Sequence, residues 1–421
     1  MNREINISKL PNGLTVVSDR ISNVESISLG LWVRAGARYE RSSENGVAHF
    51  LEHMLFKGTE RRTSKDIVEE IESVGGSINA YTSREMTAFY AKVLKKDYSL
   101  ALDVISDIVQ NSVFNSSEID KERAVILQEI GQTLDSPDDV IFDHFQSTAF
   151  PNQPLGRPVL GKPKTVSDLT GKKIRGFLER HYQGSSMVVA AAGNIHHQEL
   201  VDKCERYFGN IKAGKQVSVS DGIFSGGEHR EYRDLEQIHL IFGFSGPAIG
   251  SSDFYAMSVL SNLLGGGMSS RLFQDIREKR GLAYSIDSFM SSYSDIGLFG
   301  VYAGTGNNEI KELIPALCNQ IRGLSDSLKI EEVERARAQI KSSLLMALES
   351  TGARCEQIAQ HILIFGRVIP LEEVVAHLDS IDVMQISNLA KDIFNNSPVI
   401  AAVGPIANLE QIDTIAERLA A

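Results

Sequence analysis

His49, Glu52 and His53 stand at i, i+3 and i+4 in the stretch from Val47 to Gly58, VAHFLEHMLFKG. On a helix those positions share one side, so two imidazoles and a carboxylate converge while Phe50, Leu51, Met54 and Leu55 supply packing around them. Ser42, Ser43 or Asn45 can cap the start of such a helix, and Gly58 can end it. Two imidazoles one turn apart can chelate a zinc ion, and a carboxylate beside them can take a proton from a water that the metal acidifies. The order H-x-x-E-H inverts the commoner H-E-x-x-H. A lone histidine on an apolar helix is more often a hydrogen-bonded core residue than a ligand. The paired spacing changes that balance: with 10 histidines in 421 residues, a chance match is on the order of one per cent. Burying the three groups without a metal would cost ~1–3 kcal/mol for each one left unpaired.

A catalytic zinc needs a third protein ligand and an open position, and a carboxylate is a common third ligand. The stretch IDKERAVILQEIGQ offers Glu122 and Glu129, two helical turns apart and so on one face, with Val125, Ile126 and Ile130 as apolar companions. Glu129 can complete the set and Glu122 can support a ligand from behind it. Glutamates at i and i+7 are also routine on a solvated helix, so the spacing by itself leaves both readings open. His196 and His197, beside the Gly193 turn, occupy single positions and read as structural.

The elements that must position these groups follow from composition and pattern. A chain of 421 residues, 42% hydrophobic and 23% charged, is globular and long enough for two or more cored domains. No apolar run approaches the ~18 residues of a membrane span, and the start MNREINISKLPNGLTVVSDR has neither a secretory nor a transit pattern. A cytoplasmic protein, or a processed one of the mitochondrial matrix, is expected. Cys204, Cys318 and Cys355 are too far apart and odd in number for a disulfide framework or a cysteine zinc site. The formal net charge of -11 argues against nucleic-acid binding and is compatible with a basic partner or substrate.

The pattern then repeats. Helix, strand, Gly-Asn-Ile turn and helix in IRGFLERHYQGSSMVVAAAGNIHHQELVDKCERYF recur in ISNLAKDIFNNSPVIAAVGPIANLEQIDTIAERL, with Gly193 matching Gly404, and the turn at Gly76 has a counterpart at Gly281. One long period of this kind indicates a duplicated domain. The expected division is an N-terminal zinc-binding domain over 1–213, a Gly/Ser-rich linker over 214–228, and a homologous C-terminal domain over 229–421. In that register VAHFLEHMLFKG corresponds to AMSVLSNLLGG, with Met257 near His49 and Ser261 near His53. The second copy keeps the helix without the histidines, so folding of the domain does not require them.

The sequence resembles the inverzincin metallopeptidases of the pitrilysin family, and within it the processing-peptidase branch with its mitochondrial and bacterial members. The resemblance covers essentially the whole chain and rests on NGVAHFLEHMLFKGT, ERAVILQEI, GGSINAYTSREMTAFYAKV, PLGRPVLG and LLGGGMSSRLFQDIREKRGLAYSI. It implies His49, His53 and Glu129 as the ligands of one zinc per chain, held in the N-terminal domain. It further implies Glu52 as general base and Glu122 as the supporting carboxylate. INAYTSREMTAFY alternates as a strand does, and the resemblance makes its first part an exposed edge whose Asn79 and Ala80 hydrogen-bond the backbone of an extended substrate; an ordinary edge strand is the plain alternative. Arg277 and Tyr284 match the C-terminal pair that in the family reaches the substrate near zinc; a surface charge and a packing aromatic are the plain alternatives. LLGGGMSSR lacks the Lys-Ser/Thr of a phosphate loop and the G-x-G-x-x-G spacing, so it reads as a helix terminus.

The resulting expectation is an α+β protein of two homologous domains, each a mostly antiparallel sheet packed with helices, closing like a clam shell around a cavity. Its function would be a zinc-dependent endopeptidase acting on extended or unfolded peptides, basic and presequence-like ones among them. The resemblance also implies a homodimer, or a heterodimer with a related subunit. The rivals are a non-catalytic scaffold of the same fold and a β-type subunit that needs a separate partner.

Overall fold

The computed structural model describes residues 3–420. Apolar β-branched runs separated by Gly, Pro and Asn turns build two sheets from those residues. The first is formed by β1 (Glu4–Lys9), β2 (Thr15–Arg20), β3 (Ser26–Val33), β4 (Ser77–Thr82), β5 (Thr87–Leu94) and β6 (Met187–Gly193), in the order β1-β2-β6-β3-β5-β4. The second is formed by β7 (Gly227–Tyr232), β8 (Ile238–Gly246), β9 (Ser285–Ser292), β10 (Gly297–Thr305) and β11 (Val399–Gly404), in the order β7-β11-β8-β10-β9. Apart from the extra edge strand β1, the two orders agree strand for strand. Each contains one parallel pair, β2 with β6 and β7 with β11, among antiparallel neighbours.

The repeat extends to backbone detail. Gly193 and Gly404 end β6 and β11 with φ of 138° and 136°, and a Cβ on either would lie 2.4 or 2.5 Å from the carbonyl oxygen of Ser26 or Gln237. Only glycine meets both conditions. The left-handed turn that precedes β9 falls on Gly281 as expected, but its counterpart before β4 falls on Gly75, one residue ahead of Gly76.

The first 150 residues contribute helices α1 (Val47–Leu55), α2 (Ser64–Glu72), α3 (Tyr98–Asn111), α4 (Ser116–Asp135) and α5 (Pro137–Ala149). The chain forms two compact units, and they do not coincide with its contiguous halves. One comprises 1–131, 157–220 and 345–368; the other comprises 132–156, 221–344 and 369–421. The cause lies in the central strands, because β6 and β11 are buried along their entire length and so need cover on both faces of their sheets. In the first unit the helix Thr351–Phe365 supplies the second cover, packing Cys355, Ile358, Ala359 and Ile362 against Trp32, Val188 and Ala190. A buried pair, Arg354 Nη2 to Asp19 Oδ1 at 2.6 Å and Nε to Oδ2 at 2.7 Å, fixes that helix to β2. In the second unit α5 does the same through Ile141, Phe145 and Ala149 against Ile241, Val399 and Ala401. Each half of the sequence therefore covers a sheet belonging to the other half. Residues 212–226 have no regular structure. The three cysteines are buried free thiols, and among the described residues no helix is long and apolar enough to cross a membrane.

Candidate metal centre

Helix α1 packs Val47, Ala48, Phe50, Leu51, Met54 and Leu55 into the core of the first unit. Its start is not capped by Ser42, Ser43 or Asn45. Gly46 enters the helix at φ 94° with no side-chain cap of its own, and the buried carboxylate of Glu40 reaches in instead. Gly46 N donates to Glu40 Oε2 at 2.9 Å and Ala48 N donates to Oε1 at 2.8 Å. Asn45 Nδ2 donates to the same carboxylate at 2.8 Å, so Asn45 orients the cap rather than forming it. Burial raises the Glu40 carboxyl to about 7 against the lowering effect of these donors. Helix α1 ends at Leu55, and Gly58, at φ 122°, turns the chain three residues later.

His49 and His53 project together, their ring centroids 4.6 Å apart and set edge to face. Helix α4 brings the third group. It buries Ile119, Glu122, Ile126 and Ile130 as one stripe, while Val125, read from the sequence as an apolar companion, faces solvent. Arg123 ties α4 down by donating to the carbonyls of Val166 and Leu169, both at 2.8 Å. Glu129 Oε2 consequently lies 3.7 Å from His49 Nε2 and 3.9 Å from His53 Nε2.

Zinc–nitrogen bonds of ~2.0–2.1 Å in a tetrahedron place neighbouring donors ~3.4 Å apart. The two imidazole nitrogens and the carboxylate oxygen, all within 4.8 Å of one another, fit that ion after a small inward adjustment. The protonation states agree. Burial, with the nearby His53, pushes His49 down to about 3, so its ring is neutral and offers a lone pair. His53 Nδ1 lies 3.0 Å from Glu122 Oε2; a proton on Nδ1 leaves Nε2 bare toward Glu129. Lys57 Nζ holds the other oxygen of Glu122 at 2.6 Å.

Glu52 stands on the same helix face, with Thr82 Oγ1 of β4 donating to its Oε2 at 2.6 Å. Burial raises its pKa, opposed by the Thr82 hydrogen bond and by His53 and reinforced by Glu129. The strand β4 that carries Thr82 is the edge of its sheet, paired among the described residues only with β5. Asn79 and Ala80 lie on that edge, and the Asn79 side chain turns back to accept from Ala80 N at 2.8 Å. Asn79 also lines, with Tyr81, Tyr90 and Glu356, a cavity of about 250 Å³.

Arg277 and Tyr284 belong to the other compact unit. Arg277 stands on the π-helical turn Phe273–Lys279, its guanidinium 4.7 Å from the Phe273 ring centre and 5.6 Å from that of Tyr284. Tyr284 is 76% exposed, so packing does not account for it. The triple glycine straddles the end of the helix Phe254–Gly265: Gly265 is its last residue and Gly266 terminates it.

Three residues of the site escaped the sequence reading. Thr82 lies inside the stretch already singled out and Lys57 follows His53 by four residues, but three steps along a strand turn a side chain to the opposite face from Asn79 and α1 has ended before Lys57, so periodicity points to neither. Glu40 has no such spacing and its role is visible only once the chain is folded.

The profile described as insulinase (peptidase family M16) matches residues 15–163, and that described as the peptidase M16 inactive domain matches 168–340. An uncharacterized zinc protease of Rickettsia felis is 42% identical over 96% of this chain and 98% of its own length. The mitochondrial-processing peptidase subunit beta of Homo sapiens is 36% identical over 98% of this chain and 87% of its own. Among solved structures, a protease from Helicobacter pylori superposes with a TM-score of 0.89 at 22% identity, covering 96% of this chain and 100% of that one; it shares the two-domain α+β fold. The chain belongs to peptidase family M16, a family of zinc proteases that includes the processing-peptidase β subunits.

Proposed function

We propose that the protein is a zinc metalloendopeptidase that hydrolyses peptide bonds in extended peptides, with His49, His53 and Glu129 as zinc ligands. The observation that carries this reading is the convergence of His49 Nε2, His53 Nε2 and Glu129 Oε2, with Glu52 on the same helix face. Zinc bound there supplies a Lewis acid that polarises the scissile carbonyl and lowers the pKa of a water. The chain's own residues do the rest. Thr82 engages Oε2 of Glu52 and leaves Oε1 as the atom that takes the proton of the attacking water. Burial makes that carboxylate a stronger base than an exposed glutamate. Once protonated, Glu52 is the acid that returns the proton to the departing amine. Glu122 keeps His53 in the Nδ1–H form, and Lys57 holds Glu122 in place.

Substrate selection is read from β4. An extended peptide adds to this free edge by main-chain hydrogen bonds, once the Asn79 amide swings off Ala80 N. Thr82, on the same strand, links the edge to the base. Arg277 and Tyr284 are assigned to substrate contact on the exposure of the tyrosine. The net charge of -11 favours basic peptides. The relatives named as subunit beta support working as a dimer with a second copy or a related subunit. A scaffold role is disfavoured, because a scaffold would have no use for a complete donor set backed by Glu122 and Lys57.

The test is mass-spectrometric cleavage of a mixed peptide library by the purified chain, before chelation, after chelation and after zinc is restored. Cleavage that stops and returns, with basic peptides cut faster, is expected. Cleavage indifferent to chelation would refute the zinc mechanism. Equal cutting of acidic and basic peptides would refute the charge preference.

A further inference from the structure

A second cluster of the same composition lies in the other compact unit, on elements that play no part in the site above. His144 is on α5, while His229 and Glu231 are two apart on β7 and so share a face of that strand. Glu231 Oε2 lies 3.0 Å from His144 Nε2 and 3.7 Å from His229 Nε2. The three donor atoms fall within 4.8 Å of one another. Neither Nε2 is exposed to solvent and neither makes a well-aligned hydrogen bond, although a carboxylate oxygen is close to both. Buried imidazole nitrogens left this way cost free energy that a hydrogen bond or a metal would recover. The far side of the carboxylate is already held: Arg233 Nε donates to Glu231 Oε1 at 2.7 Å, while Arg233 Nη1 donates to Leu134 O at 2.7 Å. Arg233 thus acts as a positioning residue that turns Oε2 toward the two rings, as Lys57 and Glu122 turn His53 in the first unit.

We propose that His144, His229 and Glu231 form a second metal site, for a divalent transition cation of the zinc, cobalt and nickel class. Two imidazoles and one carboxylate are a donor set that suits those ions and discriminates against calcium and magnesium, which prefer oxygen. The oxygen-to-nitrogen separations bracket the ~3.4 Å edge of a tetrahedral site. The rings are stacked at 3.9 Å and 18°, so each turns about its Cβ–Cγ bond to aim its lone pair at a common ion. The site's place in the fold indicates its use. α5 comes from the first half of the sequence and β7 from the second, and nothing covalent near either joins them. A metal across them clips the exchanged helix to the sheet it covers, a closure of a long chain excursion of the kind that stabilises most.

The test is zinc content per chain after dialysis of the full-length protein against zinc, for wild type, His53→Ala, His229→Ala and the double variant. Two ions in the wild type, one in each single variant and none in the double are expected. In the His53→Ala background, added zinc should raise the thermal unfolding midpoint, and it should no longer do so once His229→Ala is added. Glu231→Gln, with the carboxylate charge removed and the size kept, should weaken zinc uptake at this site by roughly tenfold or more. One ion in the wild type, lost in His53→Ala and retained in His229→Ala, would overturn the second site and leave the first standing. One ion lost only in His229→Ala would uphold the second site and refute the first. Two ions retained in His229→Ala would place the second ion elsewhere and overturn the proposal.

Discussion

Helix α1 and the helix Phe254–Gly265 occupy the same place in two sheets of the same strand order. The first packs on β4 and the helix Gly171–His181; the second packs on β9 and the helix Val383–Phe394. α1 carries His49, Glu52 and His53, whereas the second helix has the buried Met257 and Ser261 near the histidine positions. Where Thr82 of β4 reaches Glu52, Ser288 of β9 turns to a serine, its Oγ donating to the Ser261 carbonyl at 2.6 Å and lying 3.2 Å from its hydroxyl. The same packing is met with apolar and small residues in one unit and with ionisable ones in the other. The difference shows that the polar groups of α1 are an addition to the fold rather than a requirement of it, and that their desolvation needs a separate justification.

Substitutions should separate the two helices and their surroundings at graded strengths. The largest expected effect is from His53→Ala, which should abolish zinc binding at the first site and peptide cleavage, while Ser261→Ala at the matching place should leave both unchanged; metal analysis and turnover assays decide. Next, Glu122→Gln should lower metal affinity by ~10–100-fold, the usual cost of losing a residue that orients a ligand, with the unfolding midpoint moved far less. Then, Glu40→Ala should destabilise the chain by about 1 kcal/mol, the typical value of a helix cap, read as a shift in denaturant midpoint at unchanged slope. The smallest effect concerns acid. His181, buried against Tyr39 and Phe177, is pushed down to about 4 by burial and by Arg180 and Arg41. Between about 6.5 and 4 the unfolded chain takes a proton there that the folded chain refuses, so stability falls as pH falls through that window. His181→Gln should flatten that fall. The helix Val383–Phe394, which stands at the same place in the other unit, ends on the buried apolar pair Ile393 and Phe394 and should contribute no such slope.

How much of this was legible in the sequence depended on whether the signal was local. The H-x-x-E-H spacing, the α4 stripe and the matched glycines Gly193 and Gly404 are periodicities within one element or one repeat, and these positions could be read directly. The direction of Val125 was misjudged because a residue one step off the buried stripe is ambiguous on sequence alone. The exchange of α5 and the helix Thr351–Phe365 between units was not legible, since an amphipathic helix does not announce which sheet it will cover. Glu40, Thr82 and Lys57 reach the site through folding, across distances with no fixed spacing. The cluster of His144, His229 and Glu231 was missed for the same reason, its first member standing in a different half of the chain from the other two.

On the function proposed above, α1 holds a catalytic zinc rather than a structural one. The most direct measurement is zinc content and peptide cleavage for wild type and Glu52→Gln, side by side. Unchanged zinc is expected in the variant, with cleavage reduced by ~10²–10⁴-fold, the contribution of a positioned general base. A variant that keeps its zinc and still cuts at the wild-type rate would contradict the role given to Glu52, and with it the mechanism.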